Sequence, residues 1–233
     1  MKRKSVSGVS FVEFTFSLVV LVPLLLGTVA VSLNLLLCMQ TAQVARDAGH
    51  MYARQVDFGQ PDSQTILVKL ASGLGLADTH ASGIQGSPGV GNAVVILSQL
   101  TYIDAAACQA GGSTYYSGGA PTSACRNWKQ WVFVQRVVVG NSSMNTSRYG
   151  SPLLSGTGHV TLDSNNRVIQ ADQLGNTNDQ ASFAYVNNPY DTATAGVSDL
   201  PTGQVIYVAE TAAKGFSMPP FMNSPVQYSY GMF

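Results

Sequence analysis

The chain has 233 residues, with twelve Lys and Arg against twelve Asp and Glu, and only 10% of its residues are charged. A zero formal charge excludes the broad basic field that nucleic-acid binding draws on. Three cysteines without a CxxC pair give zinc and thioredoxin-type chemistry no support, and 23 glycines amid plentiful Ser, Thr and Asn favour turn-rich β structure.

The first predicted element is a membrane-length helix. Residues 14–39, FTFSLVVLVPLLLGTVAVSLNLLLCM, carry no charge. As helix they rise about 39 Å, against about 30 Å for a hydrocarbon core. The run can therefore span with length over for tilt or for an extension. Lys2, Arg3 and Lys4 precede it, while Arg46 and Asp47 beyond it cancel. This asymmetry places the N-terminus in the cytoplasm and the bulk of the chain outside. A secretory signal cut near Thr28-Val29-Ala30 is the competing reading. Its apolar region would be about 7–15 residues, and this run continues through Leu33, Leu35, Leu36, Leu37 and Met39.

Glu13 is the only formal charge between Lys4 and Arg46. Near the membrane edge it costs less than the roughly 2.5–3.5 kcal/mol of a central charge. The plain alternative is a glutamate solvated among headgroups. Its setting is more specific: a basic leader, Gly8, then Val9-Ser10-Phe11-Val12, then Glu13-Phe14 and the apolar run. This order resembles the class III signal of type IV pilin-like proteins. With Phe14 after the glutamate, and Pro23 in VPLLLG, it is similar to the start of TadE-like pseudopilins of tight-adherence (Flp-type) pili. The resemblance covers roughly residues 7–56. It implies a cytoplasmic leader, 1–8, removed by a prepilin peptidase between Gly8 and Val9, leaving Glu13 fifth in the mature chain. It also implies major pilin, sister pseudopilins, an inner-membrane assembly platform and membrane lipid as partners. Once cut, the chain would hold Glu13 in the first helical turns, where the dipole favours negative charge by about 0.3–1 kcal/mol. The Val9 α-amino group, its own or a neighbour's, would be a positive partner. Mid-helix Pro23 predicts a kink or local unwinding, with Gly27 adding looseness. Asn34 is expected to bond a neighbouring helix or reach headgroups.

The helix continues past the apolar run. Val44, Ala48, Met51 and Tyr52 share one face at a 3.6-residue period, so one helix is expected from about Val9 to Val56, within a 9–57 unit. Gly49 interrupts this pattern, and Phe58-Gly59-Gln60-Pro61 is read as the stop. A short helix follows, Gln64 to Leu70, with Ile66, Leu67 and Leu70 inward. The β-rich region 58–233 then holds NAVVILSQLTYI (92–103) and WVFVQRVVV (131–139), the latter apolar on both faces and read as central. HVTLDSNNRVIQ (159–170) reads as a hairpin and QVIYVAE (204–210) as a further strand. PPFMNSPVQYSYGMF is expected to be an extended tail with at most a short edge strand. The fold class is thus α+β: a long N-terminal transmembrane helix extending into an extracytoplasmic domain with a mainly antiparallel β-sheet.

Reactive chemistry is sparse. His50, His80 and His159 have no partner at ligand spacing, and no GxSxG, HExxH or phosphate-loop pattern occurs. No catalytic residue, metal site or cofactor is assigned, and an enzyme is not expected. Asp163/Asn165 and Asn176/Asn178/Asp179 have the spacing of calcium ligands, but such clusters are commoner as turns. Asn141 and Asn145 head formal glycosylation acceptors that read as a polar loop. In an oxidising compartment Cys108 and Cys125 are expected to pair, closing a flexible loop with Tyr115 and Tyr116 near its tip. Cys38 is left unpaired. The expected function is structural, a minor pilin or pseudopilin supporting assembly or tip function, single-pass in a bacterial inner membrane with its C-terminal domain periplasmic or extracellular. The alternative is a single-span envelope protein with an extracytoplasmic ligand-binding domain.

Overall fold

The computed structural model describes residues 7–182, 204–219 and 223–233, with side chains from Val12 onward. The basic leader residues Lys2, Arg3 and Lys4, and Pro220 of the C-terminal segment, lie outside the described residues. Helix α1 runs from Ser7 to Ala53, 47 residues, or about 70 Å. It passes through Pro23 without leaving helical conformation. Residues 12–29 are largely exposed, a length of about 27 Å that is close to one hydrocarbon core. From Ala30 a buried stripe begins and continues through Asn34, Thr41, Val44, Ala48 and Tyr52. Spacings of three, four and seven residues keep these side chains on one face.

α1 stops earlier than the Gly-Pro signal indicates. The Gln55 N–H bonds the Tyr52 carbonyl at 2.9 Å and the Val56 N–H bonds the Met51 carbonyl at 3.1 Å. Gln55 itself is left-handed, with φ 67°. This is a Schellman ending in which glutamine stands where glycine is usual. Val56 and Met51, the two residues joined by the outer bond, both pack on the core. Pro61 instead opens the next helix, α2 (Pro61–Leu70), in its first turn, while the Gly59 N–H bonds Asp57 Oδ1 at 2.9 Å. The inward face of α2 is also corrected. Leu67 is buried, but Ile66 and Leu70 are exposed, and Gln64 takes the inner position. Its amide donates to the Phe58 carbonyl at 3.0 Å, which offsets part of the cost of burial, while its Oε1 is buried without a partner.

The main sheet has four antiparallel strands: β1 (Ala93–Tyr102), β4 (Trp131–Gly140), β5 (Val205–Lys214) and β6 (Val226–Met232), in the order β4-β1-β5-β6. Between β1 and β4 lie α3 (Ala105–Ala110) and a small hairpin, β2 (Tyr116–Ser117) with β3 (Ala120–Pro121). A short helix, α4 (Gln170–Gly175), precedes β5. α1 lies across one sheet face and builds the main core with Val95 and Leu97 of β1, Val137 and Val139 of β4, and Ala209 and Ala213 of β5. Residues 141–182 supply cover for the opposite face, where Met144 and Tyr149 pack.

β4 is an edge strand, not a central one. Its apolar character on both faces has two causes. The register shifts between Gln99/Leu100, so that Val134 has no opposite number. This bulge leaves Val137 and Val139 facing α1 while Phe133 and Trp131 pack in the cluster with Leu100 and Val208. The outer edge is also covered by connecting chain. The Val138 N–H bonds the Ile84 carbonyl at 2.7 Å, the Val168 N–H bonds the Val134 carbonyl at 2.9 Å, and Val132 bridges Gln180. A covered edge can be apolar without inviting aggregation. The C-terminal tail is corrected in turn, since β6 is a full seven-residue strand paired to β5 from Val226 to Met232. The hairpin expected at 159–170 is reduced to a tight turn with one bridge, Leu162 to Val168.

Candidate functional site

The exposed half of α1 carries the residues singled out from sequence. Gly8 and Val9 lie in its first turns. Glu13 and Phe14 are exposed on it, among Val12, Phe16, Leu18 and Val19. Ser17 donates its hydroxyl to the Glu13 carbonyl at 2.9 Å, as Ser32 does to Thr28 at 2.8 Å. These bonds hide small polar side chains within a helix that is otherwise long and apolar enough to cross a membrane. The chain thus has the form of a single-pass membrane protein.

Asn34 joins this helix to the sheet domain. It is buried, and its amide donates to the Ala30 carbonyl at 3.0 Å and the Phe216 carbonyl at 3.2 Å. Its Oδ1 accepts from the Phe216 N–H at 2.9 Å. Neither a second helix nor a headgroup is needed to satisfy it. Gly215 makes the approach possible, because a Cβ there would lie 2.4 Å from Asn34 Oδ1. The clasp lies one turn beyond Ala30, where the buried stripe begins, while Leu35, Leu36 and Met39 around it stay exposed.

The disulfide joins Cys108 and Cys125, with Cα atoms 6.1 Å apart, and Cys38 is free. The loop it closes is not loose. Asp104 caps α3 by accepting from the Ala107 N–H at 2.7 Å. Gly118 and Gly119, with φ 63° and 83°, turn the β2–β3 hairpin and form its tip. Tyr115 and Tyr116 lie back from that tip, packed toward Ile103, Cys108, Cys125 and Leu174. The Gly-Gly pair is the sequence signal that locates this hairpin.

Glu210 is the main polar centre that sequence reading missed. It is fully buried in the middle of β5. It accepts from the Ser147 hydroxyl, from the Arg148 N–H at 3.0 Å and from the Tyr228 hydroxyl at 2.7 Å. Burial, then the hydrogen bond to Glu210, push the Tyr228 hydroxyl far above its ordinary range. Arg148 lies over the Tyr228 and Tyr230 rings at 5.6 and 5.9 Å. These contacts pin residues 147–149 to the sheet. An acid inside VIYVAETAAK is a legible sign of such a centre, yet it reads equally as a strand end.

The remaining candidates resolve into local structure. A cleft of about 510 Å³ at the end of α1 is lined by Tyr52, Gln55, Asp57, Arg167 and Tyr207. Its polar groups are engaged with one another. Tyr52 donates to Gln135 Oε1 at 3.0 Å, and Arg167 Nη2 donates to Gln99 Oε1 at 3.0 Å. His80 sits beside Asp78 at 2.6 Å, where hydrogen bonds from His80 hold the carboxyl below its usual range. Among the described residues no group of three His, Cys, Asp or Glu is placed to hold a metal ion. Asp163 Oδ1 accepts from the Asn165 and Arg167 N–H groups at 2.8 and 2.9 Å, and Asn176 Oδ1 from the Asn178 N–H at 3.1 Å. Both clusters are turns closed by their own side chains. Asn141 is buried and holds Gly89 and Gly91 by hydrogen bonds of 2.7 and 3.0 Å, so it braces a loop. No family model, curated protein or solved structure matches the chain.

Proposed function

We propose that the chain is a structural pseudopilin or minor pilin of the TadE-like kind, supporting assembly or tip function of a tight-adherence pilus. The observation that carries this reading is α1. One unbroken helix leaves an apolar half unpacked and gives its other half to an antiparallel sheet as its spine. That shape suits a subunit drawn from a membrane as a rigid unit, because no flexible joint separates the apolar half from the domain. The order Gly8, Val9, Glu13, Phe14 adds support. In this reading a prepilin peptidase removes residues 1–8. The N-terminus starts in the cytoplasm of a bacterial inner membrane, and sister pseudopilins, the major pilin and the assembly platform are the partners.

Intact-mass measurement of the protein from its native membrane tests the reading, with a chain beginning at Val9 expected. A chain that begins at Met1, or near Val31, overturns it. A single-span envelope protein with a ligand-binding outer domain is the second reading. It draws on the polar cleft below Tyr52 and Tyr207, and it requires an unprocessed N-terminus.

A further inference from the structure

On the sheet face away from α1, a cleft of about 310 Å³ opens between β1, β4 and residues 142–155. Its lining combines apolar Ile96, Val138 and Leu153 with the polar Arg136 and Asn145. In the β1–β4 register Arg136 stands opposite Ser98, and Val138 opposite Ile96. The guanidinium thus rises from the sheet itself, on a rigid base.

Arg136 Nη1 donates to Ser151 Oγ at 3.1 Å. Its Nε–H is buried without an acceptor, and so is Asn145 Nδ2. Among the described residues, no carboxylate lies within ion-pair distance of Arg136. Glu210 shares this face and its charge acts favourably on Arg136, but it does not line the cleft, and its oxygens accept from Ser147, Arg148 and Tyr228. Arg136 is half-buried, but two buried donor atoms without partners in one cleft are a costly arrangement for the empty protein, and one that an acceptor relieves.

We propose that this cleft binds a small organic acid, a carboxylate on a short apolar stem. The carboxylate accepts from the Arg136 guanidinium and the Asn145 amide, while the stem lies along Ile96, Val138 and Leu153. A planar guanidinium matches carboxylate geometry. Arg136 is the one charged side chain lining the cleft, so a monoanion suits it, whereas a phosphate dianion would bring a second negative charge into a half-apolar cleft on the face that Glu210 shares. Water can accept from both donors but leaves the apolar lining uncovered. The volume is at the lower end for ligand sites, roughly 300–1,000 Å³, which favours a compact acid. This site does not depend on the pilus reading, and its failure would leave that reading untouched.

The test uses the full chain in an uncharged detergent, with butyrate, butyramide and inorganic phosphate as probes. Nuclear magnetic resonance reads the Arg136 Nε–H and the Asn145 side-chain amide. Butyrate is expected to move both signals saturably, with butyramide at least about tenfold weaker, the loss of a charge-assisted contact. Arg136→Gln should abolish the response. Asn145→Ala should weaken it about tenfold while the rest of the spectrum stays dispersed, and it carries the test if the arginine variant does not fold. Absence of a saturable shift with butyrate, an equal response to butyramide, or undiminished binding by Asn145→Ala overturns the proposal. Phosphate binding tighter than butyrate overturns the carboxylate assignment.

Discussion

Gly49 lies inside α1, where glycine costs about 1 kcal/mol relative to alanine. Its use is explained by the chain's last residue. A Cβ at Gly49 would stand 2.0 Å from a ring atom of Phe233, whose ring also meets His50 at 4.6 Å between centroids. Gly49→Ala is therefore expected to destabilise the protein by about 1 kcal/mol, overpacking of about 1–3 kcal/mol outweighing the gain in helix propensity. In a Phe233→Ala background the same change should stabilise, by up to about 1 kcal/mol. Urea unfolding of the four proteins measures the cycle, and equal effects in both backgrounds would count against the contact. Asp179 supplies a pH signature at the same scale. It is fully buried, and neither carboxylate oxygen has a partner. Burial first, and Asp172 second, push its carboxyl up to about 8. The unfolded value is about 3.9, so between these limits the native chain holds a proton that the unfolded chain has released. This group's contribution is complete below about pH 4 and is lost as pH rises through about 8, by at most about 1.4 kcal/mol per pH unit. Asp179→Asn keeps the shape and removes the titration. Its stability should fall less steeply than the parent's across that window, and parallel curves would exclude the assignment.

Among the elements, the disulfide-closed lobe invites the most direct experiment. Cys108 and Cys125 are separated by 17 positions, and a ring of that size restrains the unfolded chain by about 3 kcal/mol in the loop-entropy model. Replacing both by serine should lower global stability by about that amount. Hydrogen exchange should show the loss of protection concentrated between Gly111 and Ala124, with β1 and β5 losing least. A uniform loss would mean that the lobe unfolds only with the sheet. The pairing was legible from compartment and loop length, because both are properties of sequence. β1, β4 and β5 were legible for a similar reason, as β-branched runs bounded by turn residues. Strand order was not. β4 resembles a central strand because the bulge at Val134 and the cover from residues 84–87, 168 and 180 bury an edge, and both depend on distant chain. The inner face of α2 was misread because Gln64, a polar residue, is held by backbone carbonyls that no periodicity reveals. The end of α1 was misplaced because a left-handed glutamine carries no signal of its own. Arg136 and Asn145 converge only in three dimensions, so their cleft had no sequence counterpart.

At the scale of the whole molecule, α1 couples two environments. Its buried stripe starts at Ala30, and Asn34 ties the strand end at Phe216 to it. A force or displacement at the N-terminal end therefore reaches the sheet without an intervening hinge. This gives Glu13 its consequence. It stands exposed on the apolar half, about 25 Å of helix below Ala30, and the domain described here is too distant to neutralise it. If it only sits among headgroups, its charge is dispensable. If it pairs with the Val9 α-amino group of an adjacent processed subunit, a neutral amide forfeits a charge-assisted bond that lipid cannot replace. Its own Val9 amine competes, because residues four apart share a helix face. Glu13→Gln preserves shape and eases insertion, so membrane level and N-terminal mass should match the parent. The expected change is in assembly: partner pilins should no longer co-purify in detergent extracts, and pilus output should fall. Retained partners with normal output would reduce Glu13 to a processing signal or a solvated bystander. Loss of insertion or cleavage would place its role before assembly altogether.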